Sequence, residues 1–258
     1  RTIGFGLEFG IIMIASYALV FFAGMIAGAM NAVAGGGSFV SFPALVLAGV
    51  PPVSANMSST VALFPASFMS AFAYRKDFQD IEGISLRRLL PVSLAGGVTG
   101  ALLLLYTPSA TFNNLVPWLL LLGLITFTFG REIGDHLRKY MHLGPRGLMV
   151  LQYFVAIYGG YFGAAVGIMM LALWSLFGVH DLKATGAVRS ILVGSLNAAA
   201  VILFVIIGDV TWSFALTTLA GGLVGGYVGA RIARQISQAI LRRIVITIIS
   251  VITATYFW

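Results

Sequence analysis

The stretch Gly24–Leu45, G-M-I-A-G-A-M-N-A-V-A-G-G-G-S-F-V-S-F-P-A-L, continues as V-L-A-G-V-P-P-V-S-A-N-M-S-S-T to Thr60. It opens as an apolar helix and breaks at Gly35-Gly36-Gly37-Ser38. It then resumes for about a dozen residues, turns at Pro51-Pro52 and enters a new helix capped by Ser54. Each glycine inside a helix costs roughly 0.8–1 kcal/mol relative to alanine. Three in succession within a hydrophobic run imply a break that is used.

The remainder of the chain supplies the setting. Of 258 residues, 59% are hydrophobic and 9% charged, whereas a soluble domain carries about 25% charged residues. This composition predicts an all-α polytopic membrane protein forming one compact bundle. The absence of cysteine excludes disulfides, thiolate metal sites and cysteine chemistry. The net charge of +7 reads as loop topology and not as nucleic-acid binding. No signal peptide with a cleavage site is visible.

Apolar spans are expected at 9–34, 38–48, 54–74, 86–106, 113–130, 147–163, 165–177, 183–207, 211–230 and 240–257. Cations collect in three segments: Arg75, Lys76, Arg87 and Arg88; Arg131, Arg138, Lys139 and Arg146; and Arg231, Arg234, Arg242 and Arg243. The loops at 107–112 and 208–210 contain neither Lys nor Arg. The positive-inside rule puts the basic segments in the cytoplasm, with the neutral loops and both chain ends outside.

An internal repeat runs through the glycines. Gly24/Gly28 recurs at Gly159/Gly163, G-V-P-P-V-S-A-N from Gly49 matches G-V-H-D-L-K-A-T from Gly178, and L-A-G-G-V-T-G-A from Leu94 matches L-A-G-G-L-V-G-G from Leu219. The offsets are 135, 129 and 125 residues, in the same order along the chain. Span 54–74 ends at a basic loop, whereas its counterpart 183–207 ends at a neutral one. The halves, 1–134 and 146–258 joined by a cytoplasmic linker at 135–145, are therefore expected to have inverted topology. Segment 38–48 is about 16 Å long as a helix, roughly half of a ~30 Å hydrocarbon core. The two short, glycine-broken elements are thus expected to meet near the midplane, with Gly163–Gly167 approaching from the cytoplasmic side.

These residues also carry a family likeness. Ala23–Phe39, followed by P-A-L at Pro43 and V-P-P-x-x-A-N at Val50, resembles the sulfite exporter TauE/SafE family of membrane permeases. Tyr158–Ile168 and Ala184–Ser190 resemble that family's second repeat. The resemblance spans essentially the whole chain. It implies a secondary transporter in the bacterial inner membrane, exporting small sulfur-containing anions such as sulfite or organosulfonates. In this chain Ser59-Thr60 stands where the family pattern has Asn-Arg. Ala165-Val166-Gly167-Ile168 is also poorer in glycine and serine than the family's second repeat.

Candidate substrate contacts follow. Gly35, Gly36, Gly37 and Ser38 would offer backbone N–H groups at a positive helix end. A pure packing role explains Gly24/Gly28 and the Leu94 and Leu219 motifs, but packing does not require a broken helix. Asn31, Asn56, Ser59 and Thr60 cluster around the same break, either facing a cavity or making interhelical hydrogen bonds. In the second repeat the candidates are Gly163, Gly167, Thr185, Arg189 and Asn197. Arg189 is the charged residue deepest in a span, and no carboxylate shares that span. It either snorkels to the cytoplasm or contacts an oxyanion through its planar fork. Asp181 is read as that helix's cap and Lys183 as its mouth. His136, His142 and His180 are too scattered for a metal site, and no catalytic constellation or cofactor is expected. The partners implied are a small anion and the lipid bilayer, and the sequence leaves room for a homodimer. An anion channel, or a carrier of another organic anion such as a carboxylate, remains the alternative.

Overall fold

The computed structural model describes residues 2–33, 36–73, 85–140, 144–179, 182–233 and 238–258. Among these, ten helices follow one another: α1 (Thr2–Val33), α2 (Ser38–Leu47), α3 (Pro52–Ala73), α4 (Leu86–Tyr106), α5 (Ser109–Arg138), α6 (Pro145–Tyr161), α7 (Val166–Ser175), α8 (Leu182–Ile206), α9 (Trp212–Ala233) and α10 (Gln238–Thr255). Each matches one expected apolar span. Helices dominate because a backbone in hydrocarbon must satisfy its own hydrogen bonds. Gly10–Asn31, Leu86–Tyr106, Ser109–Gly130 and Gly186–Ile206 are long and apolar enough to cross a bilayer. Beyond Gly130, α5 continues as a polar helix through Glu132 and Asp135 to Arg138.

Ser54 does not cap α3. The helix already begins at Pro52, since proline's fixed φ and missing N–H suit a first helical position. Ser54 instead donates to Asp209 Oδ2 at 3.0 Å. One turn on, Ser58 Oγ accepts from the Thr211 N–H at 2.9 Å. The start of α3 is thereby tied to the loop between α8 and α9.

The two short helices, ten residues each, end in the same way. After α2, Gly49 has φ +90°, its N–H bonds the Val46 carbonyl, and the Val50 N–H reaches back to Leu45 at 3.0 Å. After α7, Gly178 has φ +80°, its N–H bonds Ser175, and Val179 reaches back to Trp174 at 3.2 Å. Both are Schellman endings, which need a left-handed residue that glycine adopts without strain. The sequence match between Gly49 and Gly178 thus corresponds to one repeated backbone device.

The packing pairs are also repeated. Helix α1 lies on α9 and α6 on α4, α3 meets α9 and α8 meets α4, and α2 touches α10 while α7 touches α5. The pairs α3–α8 and α5–α10 close the set. Exchanging the first five helices for the last five leaves these pairings unchanged. The glycine motifs form the two longest seams. A Cβ on Gly24 would press into Thr218, and one on Gly28 into Gly222. Across the other seam, Cβ atoms on Gly100 and Gly160 would strike the backbones at Ile157 and Gly97 respectively. Small residues let helix backbones approach closely in the absence of a hydrophobic drive between them. The packing role read for Gly24/Gly28 and for the Leu94 and Leu219 motifs holds.

Candidate functional site: two interrupted helices

The break between α1 and α2 is built by its own polar residues. Gly36 takes φ +89°, and the chain re-enters a helix with Gly37 as its N-cap. Asn31, near the end of α1, accepts the Gly37 N–H through Oδ1 at 2.7 Å. That N–H, expected to face a ligand, is occupied by Asn31, so Asn31 holds the shape of the break. A side chain on Gly37 would strike the Ala27 carbonyl and lie 3.0 Å from Asn31 Cγ. Gly36 is roomier, since the nearest atom to a Cβ there is Phe39 Cδ2, at 3.2 Å.

The break between α6 and α7 uses two left-handed residues, Gly163 at φ +78° and Ala165 at φ +60°. Ala165 is buried. Among the described residues it is the one non-glycine with positive φ, a conformation that costs an L-residue roughly 1–2 kcal/mol. Ala165 O then accepts from Ile168 and Met169 and starts α7. The carbonyl of Tyr161, orphaned at the end of α6, is recovered by Asn56 Nδ2 at 2.9 Å.

The structure brings the two breaks together. The position a Cβ would take on Gly163 lies 3.4 Å from Thr60 Oγ1 and 4.0 Å from Ser38 Oγ. Phe162 of the second break stacks edge-on against Phe42 of α2, with centroids 5.7 Å apart. Thr60 stands eight residues into α3, about 12 Å along a helix of about 33 Å, so the meeting point falls well inside the bundle. Thr60 donates its proton to the Asn56 carbonyl at 2.9 Å. Ser59 is fully buried and paired with Ser41 at 2.7 Å, which makes it a clasp between α2 and α3.

Arg189 reaches the second break. A Cβ on Gly167, the second residue of α7, would lie 3.5 Å from Arg189 Cδ and 3.8 Å from Nε. The half-buried Arg189 side chain is therefore laid over the first turn of α7. A guanidinium and a helix N-terminus each attract an anion. Asn197 lies two turns further along α8, with its Oδ1 buried and without a hydrogen-bond partner. Gly35, Asp181 and the side chains of Thr185 and Lys183 lie outside the described residues.

Sequence reasoning missed the Tyr161 carbonyl and the left-handed Ala165. It also missed Arg138, whose guanidinium lies against Gly178 at the carboxyl end of α7, 2.5 Å from the position of a Cβ there. A cation is favourable at that end of a helix, and a glycine there leaves it room. The basic residues at the start of the 135–145 linker were the available signal.

Membrane-length helices around two interrupted ones define a class, and no group of His, Cys, Asp or Glu that could hold a metal occurs among the described residues. This is a multi-pass membrane transporter. Residues 20–256 match the sulfite exporter TauE/SafE family, and the chain belongs to that family; it is not an enzyme. A probable membrane transporter protein of Haemophilus influenzae is 30% identical over 213 residues, covering 80% of this chain and 81% of its own. The probable membrane transporter protein YfcA of Escherichia coli K12 is 26% identical, covering 79% and 75%. The probable membrane transporter protein ORF9 of a Sinorhizobium species is 30% identical, covering 77% and 76%. No solved structure matches the chain significantly.

Proposed function

We propose that this transporter carries a small oxyanion, of the sulfite or organosulfonate class, bound between the interrupted helices and released by alternating access. The observation that carries this reading is Arg189 lying over the amino-terminal turn of α7. There a guanidinium fork and a positive helix end converge on one point. A guanidinium and a helix amino terminus at one point suit an anion, and the family's name supplies the sulfur-oxyanion class. A thermal-shift screen of the purified protein over sulfite, sulfate, sulfonates and carboxylates tests it. Saturable stabilisation by the sulfur oxyanions is expected. Stabilisation by carboxylates alone would reassign the substrate.

Alternating access rests on two halves of inverted topology. The reading is supported by the exchangeable helix pairings and by the twin endings at Gly49 and Gly178. The side assignment draws further support from Arg138, which sits at the basic end of α5 and covers the end of α7, while α3 starts at the Asp209 loop. Cysteines substituted at Asn113 and Arg138, near the two ends of α5, are expected to label from opposite faces of the membrane. Labelling of both from one side would remove the inversion.

A further inference from the structure

The seam between α4 and α6 has two sides. Gly97 of α4 and Gly159 of α6 both face Leu196 of α8, which marks the inner side. On the outer side the Tyr153 hydroxyl and Thr99 Oγ1 meet at 3.0 Å. The two helices run parallel and in step. Gln152 Nε2 donates to Ser93 Oγ at 2.9 Å across a separation of 59 residues. The first residues of the helices, Leu86 and Pro145, stand the same distance apart in the sequence. Both helices therefore start at one level.

This register places two arginines side by side. Arg88 precedes Thr99 by three helical turns plus about 20°, and Arg146 precedes Tyr153 by two turns less about 20°. Both thus share the outer side with the Thr99–Tyr153 pair, and both are exposed. They stand in the first turns of helices whose N-caps, Ser85 and Gly144, make no side-chain capping hydrogen bond. Guanidinium groups and helix N-termini each attract an anion. Arg87, also exposed, adds a third guanidinium at this level. Neither first turn contains an acidic residue that could pair with an ammonium. Further along the outer side come Val92, Ala95 and Val150, the last two exposed. They form an apolar strip that leads away from the arginines along helices suited to a bilayer. The pseudo-equivalent seam of α1 and α9 differs, since α9 opens with Trp212, Ser213 and Phe214 and no cation.

We propose that the outer side of the α4–α6 seam binds one anionic phospholipid, with its phosphate between Arg88 and Arg146 and an acyl chain along Val92, Ala95 and Val150. Basic sites between membrane helices are suited to such headgroups. A zwitterionic lipid fits less well, because no carboxylate in the two first turns answers its ammonium. Since α4 belongs to the first half of the chain and α6 to the second, the lipid bridges the seam between them. The site does not rest on the transport reading.

The test titrates phosphatidylglycerol against phosphatidylcholine, at matched total lipid, into the purified protein in a neutral detergent and follows thermal unfolding. Wild type is expected to gain stability saturably with phosphatidylglycerol and not with phosphatidylcholine. The double variant Arg88→Gln with Arg146→Gln is expected to need at least about tenfold more lipid, or to lose the effect. Arg243→Gln, which removes an exposed cation of α10, should respond as wild type does. Equal stabilisation of wild type by the two lipids would overturn the site. So would an unchanged response in the double variant, or an equal loss in Arg243→Gln, which would reduce the effect to overall charge. If the double variant does not fold, the two single variants decide, and unchanged midpoints in both overturn the proposal. Stabilisation by inorganic phosphate that the double variant abolishes would assign a free anion and overturn the lipid. Flux enters none of these readouts, so the outcome is independent of whether the protein carries an oxyanion.

Discussion

Gly36→Leu is expected to abolish transport while the protein still inserts and folds. The position takes φ +89°, so a leucine there carries roughly 1–2 kcal/mol of backbone strain. Space is not the obstacle, because the nearest atom to a Cβ is the flexible Phe39 ring at 3.2 Å. The strain pushes the chain toward continuous helix, and the side chain covers the start of α2 just before Ser38. Folding survives because the long seams, α1 on α9 and α4 on α6, do not involve Gly36. The neighbouring Gly37 is a useful contrast. Its Cβ would strike the Ala27 carbonyl, so substitution there is expected to damage the fold as well. Uptake by proteoliposomes, with size-exclusion elution as the folding control, checks both. Wild-type flux in a well-folded Gly36→Leu protein would return this break to a packing role.

Replacing Arg189 is expected to weaken anion binding by about 1.5–3 kcal/mol for alanine, the range for hydrogen bonds to charged groups, or roughly ten- to hundredfold in Kd. Arg189→Lys should fall between wild type and alanine, since it keeps the charge but loses the planar fork. Snorkelling to the cytoplasmic surface, the competing reading, requires the side chain to leave the core of the bundle. In the structure its Cδ and Nε lie over Gly167, which holds it at the break. The comparison of three Kd values at fixed salt is decisive. Equal values would take Arg189 out of the site.

The helices were legible because membrane helices announce themselves by apolar runs and by the glycines that interrupt them. All ten were placed in this way. Boundaries failed where a local rule was outranked. The cap assigned to Ser54 lost to the helix-starting geometry of Pro52, which freed the serine for Asp209. The first break was readable because three glycines advertise it. The second was readable only in outline, since Ala165 adopts a left-handed conformation that nothing in an alanine signals. Contacts between the halves were not legible at all. That Asn56 would serve the Tyr161 carbonyl, 105 residues away, depends on how the fold brings α3 to the end of α6, not on any local pattern. The candidate site was therefore visible as two separate lists of residues. Only folding shows which members meet: Ser38, Thr60 and Gly163 at one point, Gly167 and Arg189 at another.

In the proposed transport mode, two halves carry a small anion by exposing one site alternately to either side of the membrane. Counterflow in proteoliposomes tests it most directly, with vesicles preloaded with unlabelled sulfite and labelled sulfite added outside in trace amount. A carrier is expected to accumulate the label transiently above its external concentration, because exchange outruns net loss. Simple equilibration without an overshoot, at a rate that does not saturate with sulfite, would contradict the account and describe a channel.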